Sequence, residues 1–112
     1  MNPWFISGFI DGEGCFRIDL AKSSQYKTGW QVRLWFSICL HVKDIAILEK
    51  VQNYFGVGHV YKKGSLTAEF QCNTQKGLIK IFEHFDKFPL KTHKFADYQL
   101  LREAYYLMLK KE

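Results

Sequence analysis

Ile6-Ser7-Gly8-Phe9-Ile10-Asp11-Gly12-Glu13-Gly14 is the segment in which the predicted first helix gives way to the predicted first strand. Upstream, Pro3 is a favourable first helical residue and Asn2 a suitable N-cap. Gly12 and Gly14 are expected to stop the helix. From Cys15 to Leu20 apolar and polar residues alternate, which is typical of a half-buried strand.

Small residues recur on one side of this helix at Ser7, Gly8 and Gly12. A glycine inside a helix costs roughly 1 kcal/mol relative to alanine. That cost is understandable if a second helix must approach very closely. We therefore expect the helix to pair with another copy through four residues: Ser7, Gly8, Asp11 and Gly12.

Glu13 falls at the C-terminal end of the helix, where a carboxylate is unfavourable unless a cation is present. Two such helices crossing at a two-fold axis would bring two Glu13 carboxylates together. Paired carboxylates bind Mg²⁺, which can activate water against a phosphate. The alternative is a surface carboxylate in a helix-ending turn.

The rest of the chain predicts the order α-β-β-α-β-β-α-α. Residues 31–40 alternate strictly and form the clearest strand, residues 43–55 have helical spacing, and residues 57–63 and 67–73 form a hairpin. Thr74 is suited to cap the next helix, and the last helix covers about residues 92–110. The 112 residues therefore predict one α+β domain, 1–112, whose antiparallel sheet is backed by helices on one face.

The other face of this sheet is unusually rich in side chains that recognise bases. Arg suits the guanine edge and Asn or Gln the adenine edge, and a twisted β-ribbon can follow the major groove. Lys22 would reach phosphates, whereas Asp19 and Glu69 could accept from cytosine but repel phosphates. An ordinary solvated face is the alternative. The predicted DNA-binding residues are Arg17, Asp19, Lys22, Gln31, Arg33, Trp35, Ser37, His59, Tyr61, Lys63, Thr67, Glu69, Gln71 and Asn73.

Composition agrees with a polyanionic partner. The formal net charge is +5 and the isoelectric point about 9.1. Three cysteines are an odd number without zinc-ligand or CxxC spacing, so we expect reduced thiols. Neither a signal peptide nor an apolar run long enough to cross a bilayer is expected, so no membrane partner is predicted. The chain also lacks GxSxG and HExxH motifs, which argues against serine and zinc hydrolases.

Residues 6–14 resemble the LAGLIDADG motif of homing endonucleases: glycines occupy its two glycine positions, Asp11 its first aspartate, and Glu13 its second. Ser7 and Gly12 replace its alanines with other small residues, and Phe9 replaces a leucine. The phrases at residues 2–4, 40–44, 55–58 and 89–92 resemble the fungal organellar subgroup, so the resemblance covers effectively the whole chain.

This resemblance implies an intron-encoded, mitochondrial homing endonuclease that cuts long double-stranded DNA sites with Mg²⁺ or Mn²⁺, with Ca²⁺ as a non-catalytic substitute. It makes Glu13 the motif acid and lets the Gly14 backbone approach the ion. It also implies a catalytic basic residue near the start of the last helix, for which we select Lys94, with Lys91 as the competitor. Gln31, Ser37 or Gln71 would help to position water, and the sequence does not choose among them.

The subgroup usually joins two motif-bearing halves, whereas this sequence carries one motif and resembles the N-terminal half. We expect a symmetric dimer on a palindromic-like site, or pairing with a second half, so that two sheets form a saddle along the groove. Two other functions stay open. One is a non-cleaving DNA- or RNA-binding, maturase-like module; the other is a protein-interaction domain with Trp35 and Tyr61 as hot spots.

Overall fold

The computed structural model describes residues 2–22, 24–25 and 29–111. These residues form a mixed α+β fold in the predicted order. Its elements are α1 (Pro3–Glu13), β1 (Gly14–Lys22), β2 (Trp30–His41), a 3₁₀ turn (Val42–Asp44), α2 (Ile45–Phe55), β3 (His59–Lys63), β4 (Thr67–Cys72), α3 (Gln75–Lys87) and α4 (Lys94–Lys111). The predicted α+β class is therefore confirmed.

The four strands form one antiparallel sheet in the order β1-β2-β4-β3. The long β2 is central and pairs with β1 along one side and with β4 along the other. β1 is an edge strand and follows α1 without an intervening loop. The C-terminal end of α1 therefore lies at one edge of the sheet.

The α1 helix begins as the sequence predicts but ends later, because Gly12 lies within it and only Gly14 stops it. The Asn2 side-chain oxygen accepts a hydrogen bond from the Trp4 backbone N–H at 2.8 Å, and Pro3 is the first helical residue. Gly14 ends the helix in an extended conformation, with φ −79° and ψ 160°. A Cβ on Gly14 would lie 2.9 Å from the Ile10 carbonyl oxygen, so glycine is needed here for space.

The core lies between the apolar sheet face and the helices. The sheet contributes alternate residues, among them Phe36, Ile38 and Phe70, which are all fully buried. Helical residues complete it: Ile6, Ile10, Leu48, Val51, Leu78, Ile81, Phe82, Phe85, Tyr98, Leu101 and Tyr105. The helices cover only this apolar face of the sheet, and the polar side chains lie on the other face.

Three elements begin two residues later than the sequence predicts. The helix expected from Lys43 begins at Ile45, because the His41 ring accepts from the Lys43 N–H and turns residues 42–44 into a 3₁₀ turn. The strand expected from Val57 begins at His59, after Gly58 with φ +89°. The last helix begins at Lys94, because the Thr92 hydroxyl accepts from the Lys94 N–H.

One burial expectation is wrong. Ile18 and Leu20 alternate with the polar residues of β1 as predicted, but they are 42% and 65% exposed. The helices therefore cover the first part of this edge strand and leave its end open. Among the described residues, no helix is long and apolar enough to cross a membrane. Cys15, Cys39 and Cys72 are all free thiols, as expected.

Candidate nucleic-acid interface and catalytic edge

Strand register brings the predicted DNA-binding side chains into rows across the polar sheet face. One row crosses all four strands and contains Cys15, Ser37, Gln71 and His59. Its neighbours place Arg17 opposite Trp35, Asp19 opposite Arg33, and Thr67 between His41 and Lys63. Asn73 follows β4 and is exposed. The predicted polar residues of separate strands therefore share one surface.

Lys22 is an exception to this arrangement. It is the last residue of β1 and follows the alternation of Phe16, Ile18 and Leu20. Alternate residues point to opposite faces of a strand, so Lys22 is on the side opposite to Arg17 and Asp19. It is exposed at the end of β1, and its predicted contact with a phosphate stays a prediction.

At the β1 edge, the side chains of the polar face contact one another. The Arg17 guanidinium lies over the Trp35 ring at 5.0 Å and is 3.3 Å from the Asp19 carboxylate. Trp35, expected to be exposed, is half-buried, and its indole N–H has no acceptor among the described residues. On the same side, the Arg33 guanidinium donates to Gln31 at 3.4 Å. These contacts orient two arginines on the open face.

Glu69 is not the exposed acceptor that the sequence predicted. It is 5% exposed, and its carboxylate accepts hydrogen bonds from the Tyr61 hydroxyl and the Cys39 thiol, the latter at 3.1 Å. The Lys63 ammonium lies 3.5 Å away. Direct contact between Glu69 and a base is therefore excluded, because neighbouring side chains cover it. We call Cys39, Tyr61, Lys63 and Glu69 the Glu69 cluster.

The Glu69 cluster has shifted acidities. Burial raises the pKa of Glu69, but hydrogen bonds from Tyr61 and Cys39 and the charge of Lys63 outweigh it, so the pKa is lowered overall. The hydrogen bond to Glu69, together with burial, raises the pKa of Tyr61 to about 12. Burial and the same carboxylate raise the pKa of Cys39 to about 11. The cluster therefore holds one charged acceptor and two protonated donors at neutral pH.

Glu13 is exposed at the last position of α1, directly before the edge strand. Among the described residues, no group of three or more His, Cys, Asp or Glu side chains is placed to hold a metal ion. Mg²⁺ in phosphate-processing sites typically uses one or two carboxylates together with waters and phosphate oxygens. A single exposed carboxylate per chain fits that donor set if the nucleic acid, or a second chain, supplies further oxygens.

Asp11 ties the end of α1 to the start of α4. Its carboxylate accepts from the Lys91 N–H at 2.9 Å, the Thr92 N–H at 3.1 Å and the Thr92 hydroxyl at 2.8 Å. The carboxylate is therefore engaged within the chain, and it also faces the positive end of the α4 dipole. Asp11 therefore supports the start of a helix. Its predicted contribution to an interface stays a prediction.

The two candidate catalytic lysines lie close in sequence to this contact. Thr92, whose N–H and hydroxyl bond to Asp11, lies two residues before Lys94, the first residue of α4. The Lys91 ammonium instead lies 5.1 Å from the centre of the Trp4 ring, near the opposite end of α1. Eleven residues of helix are about 16 Å long, so this contact points Lys91 away from Glu13.

The open side of α1 contains two of the small residues. A Cβ on Gly8 or Gly12 would meet nothing within 4 Å, so packing within the chain does not explain either glycine. Ser7 is different, because it is 2% exposed and bonds inside the chain to the Phe88 carbonyl and the His84 ring. The prediction that Ser7 lies in an interface between chains is therefore wrong. Ser7 is next to Gly8 in sequence, but the helix turns it toward the core.

Sequence reasoning missed several residues that shape this region. Cys39 is on the polar face by strand alternation, but a thiol is not a typical base-recognising group, so its type gave no signal. Thr92 and His84 contribute through contacts to α1 that lie 81 and 77 residues apart in sequence. Only the hydroxyl of Thr92 next to a helix start was a signal; nothing local marks His84.

Residues 6–105 match the family described as LAGLIDADG endonuclease. This match covers most of the chain and includes α1 and the whole sheet. The chain belongs to the LAGLIDADG endonuclease family. Glu13 thereby occupies the position of the second acidic residue of the family motif, and the face rich in base-recognising side chains belongs to the sheet that follows it.

Two fungal relatives show how much of a longer protein this domain spans. The chain is 42% identical over 114 residues to an uncharacterized 50.9 kDa protein in ND4 intron 1 of Podospora anserina, covering 100% of this chain and 25% of that protein. It is 39% identical over 112 residues to probable intron-encoded endonuclease 2 of Neurospora crassa, covering 97% and 25%. The chain thus spans about a quarter of the length of these relatives.

A solved LAGLIDADG structure has the same fold. I-SmaMI, bound to uncleaved DNA target in the presence of calcium ions, superposes with a TM-score of 0.93 and 40% sequence identity. The superposition covers 99% of this chain and 38% of that one. The described helices and the four-stranded sheet therefore correspond to one portion of a larger DNA-bound protein.

Proposed function

We propose that this chain is one DNA-binding and DNA-cleaving domain of a homing endonuclease, which hydrolyses phosphodiester bonds with a divalent metal ion. The observation that carries the proposal is the position of Glu13. It is exposed at the end of a helix whose Gly8 and Gly12 face open space, and the next residue begins the edge strand of the polar sheet. In this proposal the Glu13 carboxylate therefore lies directly beside the sheet that contacts DNA.

Pairing through α1 completes the site in this proposal. Gly8 and Gly12 let a second α1, from another copy or from a second domain of the same family, approach closely. The close approach would place two Glu13 carboxylates near one another, which is the oxygen-rich setting that Mg²⁺ prefers. The saddle formed by two sheets, and a palindromic-like target for two identical chains, belong to this proposal.

Divalent metal would supply a polarised phosphate and an activated water when bound. Glu13 would hold the ion, with the Gly14 backbone close to it. Lys94 would stabilise the charge that develops on the phosphate, because Asp11 and Thr92 hold its helix start beside the end of α1. Mg²⁺ or Mn²⁺ would support cutting, and Ca²⁺ would support binding alone. Fungal intron-encoded relatives favour a mitochondrial location.

Selection from a pool of random duplexes tests the proposal. We expect the native chain to retain a sequence class and to cut it with Mg²⁺ but not with Ca²⁺. Glu13→Gln should bind the selected duplex within about threefold of the native affinity and lose at least a hundredfold in cutting, because only the metal-holding charge is removed. Glu83→Gln, the same change on the exposed side of α3, is the matched control.

The outcomes separate the competing functions. Equal cutting by Glu13→Gln removes that residue from the mechanism. Specific binding without metal-dependent cutting by the native chain favours the non-cleaving, maturase-like module. If the native chain retains no duplex at any salt concentration, the remaining candidate function is that of a protein-interaction domain.

A further inference from the structure

The Glu69 cluster is built across three neighbouring strands in the middle of the polar face. Glu69 of β4 is directly opposite Cys39 of β2 and Tyr61 of β3. Glu69 is 5% exposed, whereas Tyr61 is 37% exposed. The buried carboxylate therefore lies beneath a tyrosine that reaches the open surface.

The chemistry of the carboxylate sets the direction of every hydrogen bond in the cluster. An ionised carboxylate only accepts, so the Tyr61 hydroxyl and the Cys39 thiol must both donate to it. The Lys63 ammonium, 3.5 Å away, adds a compensating charge. The single proton of the Tyr61 hydroxyl is consequently turned inward, and its oxygen offers only lone pairs to anything that approaches the sheet.

We propose that Glu69 is a positioning residue that fixes the Tyr61 hydroxyl as a hydrogen-bond acceptor, so that Tyr61 selects a base carrying an exocyclic amino group. In the major groove those bases are adenine, through N6, and cytosine, through N4. Guanine and thymine present acceptors at O6, N7 or O4, and these meet no donor at Tyr61. This inference rests on the proposed binding of DNA by the polar sheet face.

A free tyrosine would not discriminate in this way. Its hydroxyl can rotate to donate or to accept, and would therefore tolerate all four bases. With the proton held by Glu69, an opposing acceptor on the base leaves two oxygen lone pairs facing each other. We expect the disfavoured bases to be about tenfold depleted at that position among the selected duplexes.

Two substitutions test the two halves of the inference. Tyr61→Phe removes the acceptor and keeps the ring, so the preference for adenine or cytosine at one position should disappear. Glu69→Gln replaces the carboxylate by an amide that can donate to the Tyr61 oxygen and release its proton outward. The preference at that same position should then weaken or reverse toward guanine and thymine.

The experiment is sequencing of duplexes retained from one random pool by the native chain, the two variants and Glu49→Gln, an equivalent change on the exposed side of α2. Thermal unfolding of each variant accompanies it, and Tyr61→Phe carries the test if Glu69→Gln does not fold. Glu49→Gln should give the native base preferences.

Failure of the inference is distinguishable from failure of the proposed function. Sequence enrichment by the native chain that Tyr61→Phe leaves unchanged at every position overturns the role of Tyr61. An intact adenine or cytosine preference in folded Glu69→Gln overturns the role of Glu69. Absence of any enrichment by the native chain overturns DNA reading by this face, and the inference with it.

Discussion

His84 shows how a single buried residue joins three helices. Its Nε2 is 2.9 Å from the Ser7 hydroxyl, and its Nδ1 is 2.8 Å from the Tyr54 hydroxyl. Because Ser7 donates its proton to the Phe88 carbonyl, it must accept from Nε2–H, which leaves Nδ1 to accept from Tyr54. Every polar atom of this chain of hydrogen bonds is satisfied with the imidazole neutral.

The neutral imidazole makes stability depend on pH. Burial lowers the pKa of His84 from 6.5 to about 4. Since the unfolded chain then binds the proton more readily, the stabilisation is fully present above pH 6.5 and is lost as pH falls toward 4. We expect the free energy of unfolding to decrease by roughly 2 kcal/mol between pH 7 and pH 4.5 through this group.

Urea unfolding at pH 7 and pH 4.5 measures the effect. His59→Gln, which changes an exposed imidazole, should keep the native pH dependence. The stabilisation from the lowered pKa of Glu69 is present above its ordinary value of 4.5 and is lost mainly below it, so it contributes little between pH 7 and pH 4.5. A native chain whose stability is flat between these two pH values would contradict the assignment of His84 as a buried neutral base.

Glycines along α1 and at its end have two different physical reasons. Gly8 and Gly12 face open space, whereas a Cβ on Gly14 would lie 2.6 Å from the Ile10 Cγ2 and 2.9 Å from its carbonyl oxygen. Only the last glycine is required by the chain's own packing. The first two reduce the intrinsic stability of a helix and are expected to be compensated by pairing.

Gly8→Ala should therefore have opposite effects on folding and pairing. The separate chain should gain up to about 1 kcal/mol, because alanine favours the helix and meets no neighbour. Pairing should weaken, because the added methyl group holds the second helix away. Denaturant unfolding at high dilution measures the first effect, and sedimentation velocity over a concentration series measures the second.

Gly14→Ala is the contrasting substitution. Its methyl group has no room, so the separate chain should lose about 1–3 kcal/mol. Ala46→Leu on the exposed side of α2 controls for a general effect of enlarging a helix surface. If Gly8→Ala and Gly14→Ala change stability in the same direction, the distinction between open and packed glycines is wrong.

The net positive charge of the whole molecule affects how strongly DNA binding depends on salt. The net charge of +5 and the basic side chains on the sheet face predict that DNA binding releases counterions. With three phosphates neutralised per chain, affinity should fall roughly fortyfold between 50 mM and 200 mM salt. Fluorescence anisotropy with one labelled duplex over a salt series measures this.

Two lysine substitutions locate the phosphate contacts. Lys63→Gln, at the turn end of β3, should lower the salt slope by about one, because one contact is lost. Lys80→Gln, on α3 and away from the polar face, should leave the slope unchanged. Equal slopes for the native chain and both variants would place the DNA on another surface.

Local patterns in the chain were enough to predict the order of helices and strands, the apolar face of the sheet and the family motif. Alternation along β2 placed Phe36 and Ile38 inside and Arg33 outside, because strand period depends only on neighbouring residues. Capping of α1 by Asn2 and of α3 by Thr74 was equally local. These features need no information about distant parts of the chain.

The burial of individual residues and the contacts between distant residues depended on how the elements pack. Alternation put Glu69 on the polar face, but Tyr61 and Cys39, from two other strands, bury it there. Ser7 is beside Gly8 in sequence, yet His84 and Phe88 enclose one while the other faces open space. Periodicity states which side of an element a residue occupies, whereas burial depends on what another element places against that side; for Ser7 that element lies 77 residues away in sequence.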